Sequence, residues 1–373
     1  MKTARFLSRL IIGLVFIFSG TLKAIDPLGT VYKFQDYFSA FNIGFLGRLS
    51  LLFAIILCTA EFIGGFSVLL NIRQKTGICI VMLLMIVFTP LTFVLALTNP
   101  VSDCGCFGDV IKLTNWQTFI KNIILLIPAV YLFITRKNIT PRSGTTREWT
   151  IMTITAVVFI AFIFYSLRYL PVIDFLPYKT GTYIPDQMIV PEGKPVDKYE
   201  TTFIYEKEGQ QKEFTLENYP AGDTTWKFIE QKSALISKGY QPPVHDFRFY
   251  SLDGTDHTPE ILESGNYLLL MISRKLSESD PEKLEAGFDL GQFCLKNGIG
   301  FLILTASGIE EALQYSRGAV ICLGDEITLK TMVRADPGYI LMKKGTIMGK
   351  WSWANLPDEG TFIKLITKNN QKI

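Results

Sequence analysis

The sequence predicts an α-helical membrane bundle of four helices plus a fifth transmembrane helix, followed by an α/β domain. Three observations predict it. Of 373 residues, 49% are hydrophobic and 19% charged, against about 25% charged in a typical soluble domain. The excess is confined to the first 170 residues, where stretches near 6–25, 49–70, 77–98, 118–135 and 149–170 each approach the length of a bilayer span. Beyond residue 171 short apolar runs alternate with amphipathic ones, the pattern of strands interleaved with helices. A net charge of +3 is too small to point to nucleic acid. Both histidines, His245 and His257, lie in the second half, which excludes a histidine-ligated haem or metal in the apolar half. The chemistry is left to Cys58, Cys79, Cys104, Cys106, Cys294 and Cys322.

In the first span, Lys2, Arg5 and Arg9 precede the apolar run Leu10–Phe18, as in a secretory signal, but no small-x-small cleavage site follows. The stretch is expected to remain as a span. Orientation follows from Lys and Arg in the short loops. Lys2, Arg5, Arg9, Arg73, Lys75, Arg136, Lys137, Arg142 and Arg147 fall on one side, against Lys33, Arg48 and Lys112 on the other. This excess places the N-terminus in the cytoplasm and residues 171–373 outside. In a bacterial inner membrane, outside is the periplasm, where disulfides form and persist.

The same topology puts the loop at 99–117 outside. It carries Asp103-Cys104-Gly105-Cys106-Phe107-Gly108-Asp109 after Asn99-Pro100. Two cysteines one residue apart can close a small, strained disulfide, with Gly105 supplying the backbone freedom, and strain favours exchange. Asp103 and Asp109 are expected to raise both thiol pKa values. The alternatives are a static disulfide pinning a turn, or two inert thiols; a metal site is the weaker reading, because two thiolates alone leave coordination incomplete. In the second span Cys58 and Glu61 share a face at i, i+3. An intramembrane glutamate is a functional-site candidate, as a proton relay beside a buried thiol, or else a packing residue bonded to a hydroxyl such as Ser19 or Thr92. Cys79 reads as a small core residue. Phe34, Tyr37, Phe38 and Phe41, at helical spacing within 32–45, predict an amphipathic helix over the cysteine loop, serving as an aromatic anchor or as a quinone contact.

Ser19-Gly20, Lys23, Asp26-Pro27, Glu61 with Gly64-Gly65, and the Cys-Gly-Cys-Phe-Gly loop together resemble the DoxX and MauE group of four-helix membrane proteins over about residues 5–135. The resemblance implies the bundle. MauE-type proteins are associated with forming disulfides in periplasmic partners, and DoxX is named for a subunit of a thiosulfate and quinone oxidoreductase. Cys104 and Cys106 are the positions the motif carries over.

The expected boundaries are 1–137 for the four-helix membrane domain, 138–170 for a cytoplasmic loop and fifth span, 171–239 for a periplasmic linker with a hairpin and a helix, and 240–373 for the α/β domain. Prolines at 171, 177, 185, 191 and 195 mark extended chain. Thr201–Tyr205 and Lys212–Leu216 predict a hairpin, and Trp226–Lys238 a helix ended by Gly239. Next come a strand within 244–251, a buried strand at 267–272, a helix at 281–296, a strand at 300–305, a helix at 309–315, a strand at 319–323 and a helix at 326–333. A hairpin over 338–350 turning on Lys344-Gly345 and a helix at 357–367 close the chain. This order, with His245-Asp246-Phe247, Asp253-Gly254 and Asp336-Pro337, resembles the thioredoxin fold of the TlpA and peroxiredoxin kind over about 240–370. That resemblance implies a cis peptide at Pro337 and a redox cysteine after the first core strand. The stretch Ser273–Pro281 contains no cysteine, so the domain reads as a degenerate binding or scaffolding module. Cys294 and Cys322 are expected to be buried, with their pairing open.

Two functions follow. In one, Cys104 and Cys106 exchange a disulfide with a periplasmic client or thiol carrier, with a bilayer quinone as electron partner. In the other, the protein is a non-catalytic, membrane-anchored binding or assembly factor. Transport through the bundle rests on Glu61 alone.

Overall fold

The computed structural model describes residues 2–101, 103–138, 145–195, 198–218, 220, 222–237 and 239–370. Arg142 and Lys238, used above in the loop count and the helix end, fall outside them. The N-terminal part comprises α1 (Lys2–Ile25), α2 (Pro27–Ala40), α3 (Ser50–Leu70), α4 (Gln74–Thr98), the short β1 (Cys106–Asp109), α5 (Asn115–Thr135) and α6 (Thr145–Tyr169). Among the described residues α1, α3, α4, α5 and α6 are long and apolar enough to cross a membrane. The chain is a membrane protein whose spans precede an α/β domain.

Glycines bring α1 against α3. A Cβ on Gly20 would lie 2.7 Å from the Phe62 backbone nitrogen, and one on Gly65 would lie 2.7 Å from that of Ile17, so only glycine lets the backbones meet this closely. That approach sets Ser19 and Lys23 of α1 opposite Glu61 of α3. The aromatic helix begins earlier than expected because Asp26 caps it, accepting from Gly29 N at 3.0 Å, with Pro27 in its first turn. Cys79 is not a core residue. Its neighbours Ile78 and Val81 are buried in the bundle, and Cys79 points away from them and is exposed.

Tyr183–Phe247 forms a compact unit of its own, with α7 (Ile184–Met188) and an antiparallel sheet of β2 (Lys198–Lys207), β3 (Gln210–Thr215) and β4 (Lys227–Ser237) in the order β3-β2-β4. The hairpin is as predicted. The expected helix at 226–238 is instead β4, because β2 pairs with it along its whole length and Tyr205 faces Phe228 with rings 5.7 Å apart. Cross-strand pairing outweighs local helical spacing there.

The α/β domain contains β5 (Tyr250–Ser251), α8 (Thr258–Glu263), β6 (Leu268–Ile272), α9 (Pro281–Lys296), β7 (Gly300–Thr305), α10 (Ile309–Leu313), β8 (Val320–Leu323), α11 (Glu326–Met332), β9 (Gly338–Lys343), β10 (Thr346–Ser352) and α12 (Glu359–Asn370). The sheet order is β10-β9-β6-β7-β8-β5. The strands β6, β7 and β8 run parallel, β9 is antiparallel to β6, and β10 is antiparallel to β9. With α9 crossing from β6 to β7, this is a thioredoxin-like arrangement. Leu269, Met271, Phe288, Ile303, Tyr339 and Phe362 fill its core. The peptide Asp336-Pro337 is cis, and Cys294 and Cys322 are buried free thiols.

The first part of the linker expected over 171–239, residues 171–182, is docked chain. Leu176 and Tyr178 are buried, Gly181 N donates to Ile347 O at 2.8 Å, and the ammonium of Lys350 donates to Asp174 at 2.6 Å. Its prolines predict extended chain, and the segment is held by hydrogen bonds to β10.

Candidate functional site

The site is built from α1, α2, α3, α5 and the cysteine loop. Ser19 and Lys23 lie one turn apart on α1. The Lys23 ammonium reaches both carboxylate oxygens of Glu61, at 2.8 and 3.1 Å, and also donates to Ser19 Oγ at 2.7 Å and to the Cys106 carbonyl at 2.5 Å. Ser19 Oγ is 2.8 Å from both the Glu61 carboxylate and the Cys106 carbonyl. Glu61 is therefore half of a buried ion pair. Its partners are Lys23 and, of the two hydroxyls considered, Ser19; Thr92 instead accepts from Asn122 at 3.1 Å. Two buried charges persist only with such complete partnering.

The pair supports the cysteine loop from below, and α2 holds it from the side. Tyr37 Oη donates to the Cys104 carbonyl at 2.6 Å, and Lys33 Nζ binds Asp103 at 2.9 Å. Asp103 also accepts from Gly105 N at 3.0 Å. Gly105 has φ +64°, and a Cβ there would meet Lys33 Cγ at 2.9 Å. This tight turn brings Cys104 Sγ to 3.4 Å from Cys106 Sγ, so a small movement closes a disulfide. The Lys121 ammonium of α5 sits 4.6 Å from the centre of the Phe107 ring.

The two thiols are unequal. Cys104 is buried and Cys106 half-buried. A hydrogen bond from Cys104 favours the Cys106 thiolate; Lys121 and Lys23 assist against burial, and the thiol falls to about 6. That same hydrogen bond, with burial, holds Cys104 well above the ordinary thiol range. Of the rise expected at both cysteines, only that at Cys104 occurs, and its main causes are the hydrogen bond and burial; Asp103 is paired with Lys33 and Asp109 with Arg334. A cavity of about 90 Å³ borders both thiols; Lys121 and Asn122 line it beside apolar side chains such as Phe88 and Leu125.

Of the residues singled out in the sequence, Cys104, Cys106 and Glu61 come together here. Cys58 does not line the cavity; it is fully buried, packed with Ala24, Phe159 and Ile163. Pro337 belongs to the α/β domain, where its neighbour Asp336 holds Arg274 at 3.1 Å and Ser279 at 2.9 Å. Ser279 is also 2.8 Å from Ser273, so serines occupy the region where a redox cysteine was expected. Lys33, Lys121 and Arg334 were not recognised as site residues. Lys23 was noted only as part of a motif, although its i, i+4 spacing from Ser19 was the signal for a shared face.

Residues 1–135 match the family described as methylamine utilisation protein MauE, and residues 199–238 match a domain of unknown function, DUF8463. The chain is 34% identical over 129 residues to Protein TlpB of Flavobacterium psychrophilum, a stretch covering 34% of this chain and 35% of that protein. It therefore spans about a third of the curated relative it matches. A solution structure from Bacteroides thetaiotaomicron, described as that of a candidate protein disulfide isomerase, aligns over 34% of this chain and 86% of its own at 17% identity, with a TM-score of 0.27. That score is too low to bear on the fold. The chain joins a MauE-like membrane domain to a thioredoxin-like domain.

Proposed function

We propose that the protein performs thiol-disulfide exchange at Cys104 and Cys106, on the periplasmic side of a bacterial inner membrane, with its N-terminus in the cytoplasm. The observation that carries this reading is two thiols 3.4 Å apart, one of them half-buried and held to about 6. In the oxidising direction, a client thiolate attacks the Cys106 sulfur of the Cys104-Cys106 disulfide. The sulfur-sulfur bond breaks, and Cys104 leaves and takes a proton. A second client thiolate then attacks the client sulfur of the mixed disulfide and releases Cys106. Low pKa makes Cys106 the better leaving group in that step. The client gains a disulfide and the loop holds a dithiol. A bilayer quinone would accept the two electrons and two protons of the dithiol and so return the loop to its disulfide; the cavity beside both thiols, lined by Lys121, Asn122 and apolar side chains, would hold it. The Lys23-Glu61 pair holds the Cys106 carbonyl during the cycle and is the candidate proton relay.

The serines at 273 and 279 favour a second reading, a membrane-anchored binding factor with a structural Cys-Gly-Cys turn. A redox titration of the full chain in detergent, with maleimide trapping and peptide mass spectrometry, separates the two. Interconversion near or above about −200 mV supports exchange. Thiols that never pair, or a disulfide that survives below about −300 mV, favour the binding factor.

A further inference from the structure

Arg334 lies between α11 and β9, three residues before the cis proline, and is 4% exposed. All three of its donor nitrogens are engaged, two of them across the fold. Nε donates to Asp26 at 2.8 Å, Nη2 to Asp109 at 2.5 Å and Nη1 to the Lys330 carbonyl at 2.6 Å. Its guanidinium carbon also lies 5.3 Å from the centre of the Tyr32 ring on α2. The two carboxylates are not equivalent in what they hold. Asp26 caps α2, the helix whose Lys33 and Tyr37 grip Asp103 and the Cys104 carbonyl. Asp109 ends β1, the strand that begins at Cys106. Both flanks of the Cys-Gly-Cys turn are thus tied to carboxylates that one arginine holds in a fixed fork.

We infer that Arg334 is a positioning residue for the membrane dithiol: the thioredoxin-like domain clamps the cysteine loop and sets how readily its two thiols pair. Its functional consequence rests on the exchange reading above; the clamp itself is measurable without turnover. Closing an intramolecular disulfide depends on how closely the second thiol is held, and a loop freed at both flanks loses that advantage to conformational entropy.

The test uses the full chain in detergent with Arg334→Gln and Arg334→Lys. Equilibration against dithiothreitol buffers, read by maleimide trapping, is expected to show disulfide formation about tenfold less favourable in R334Q. R334K recovers part of the loss, because an ammonium keeps the charge but lacks the fork. In a Cys104→Ala background, the limiting alkylation rate of Cys106 at high pH is expected to rise about tenfold in R334Q as the loop loosens. If R334Q does not fold, Asp109→Asn carries the test, with a smaller shift in the same direction. If the wild-type loop cycles and neither readout moves by more than about twofold in folded variants, the clamp is wrong. If the wild-type loop never cycles, the exchange reading fails, while the alkylation rate still decides the clamp.

Discussion

Replacing Cys104 with alanine isolates what makes Cys106 acidic. The largest cause of its low pKa, about 6, is the hydrogen bond from Cys104, with Lys121 and Lys23 secondary and burial opposing. Without Cys104 the midpoint is expected to rise to about 8.5, the free-thiol value, or higher. At pH 6 the thiolate fraction of the wild type is about one half, against about 0.3% for a thiol at 8.5, a ratio of about 160. Thiolate nucleophilicity falls with pKa, however, by about 13-fold over 2.5 units at a Brønsted slope near 0.45. The two effects combine to make wild-type Cys106 about tenfold faster at pH 6, about twofold faster at pH 7 and about tenfold slower above pH 9. The assay is iodoacetamide alkylation of the reduced full chain in detergent from pH 4.5 to 10, with Cys106 followed by mass spectrometry. Crossing rate profiles are the signature. Parallel profiles, or a wild-type midpoint near 8.5, would refute the coupling of the two thiols.

Further outcomes follow from the same geometry. Glu61→Gln strands the buried Lys23 ammonium and is expected to cost about 3–5 kcal/mol of stability, read by unfolding in mixed micelles; Lys23→Met with Glu61→Leu recovers most of it, and no recovery would sink the ion-pair account. Gly105→Ala forces a Cβ into a positive-φ turn against Lys33 and is expected to weaken disulfide closure by about 1–2 kcal/mol, measured against dithiothreitol. Burial pushes Cys294 and Cys322 up to about 12, so both are expected to resist alkylation at pH 7 until the domain unfolds; rapid labelling of the folded chain would contradict their place in the core.

The spans and the alternation of strands and helices were legible because their signals are local and repeat along the chain. Apolar length announces a bilayer segment, and runs such as Leu268–Ile272 announce a strand buried on both faces. The strand at Lys227–Ser237 was not legible. Ile229 and Ser233, with Trp226 just before the strand, fall at helical spacing, and only pairing with a strand some thirty residues earlier makes it extended. The docking of residues 171–182 was hidden for the same reason, since their partners lie on a hairpin far along the chain.

The site divides along the same line. Cys-Gly-Cys is a three-residue signal, and the sequence sufficed to find it. The acidity of Cys106 departs from the expectation because Asp103 and Asp109 are visible beside the cysteines, whereas the cations that occupy them are not. Lys33 is 70 residues from Asp103 and Arg334 is 225 from Asp109. A charge read without its partner gives the wrong sign for a neighbouring pKa. Once both aspartates are engaged, the balance passes to the hydrogen bond between the two thiols and to Lys121 and Lys23, which lie on helices on either side of the loop in sequence. The reactivity of this loop is therefore a tertiary property. It requires α1, α2, α5 and the thioredoxin-like domain together, and the Cys-Gly-Cys sequence transplanted without them is expected to titrate like ordinary thiols.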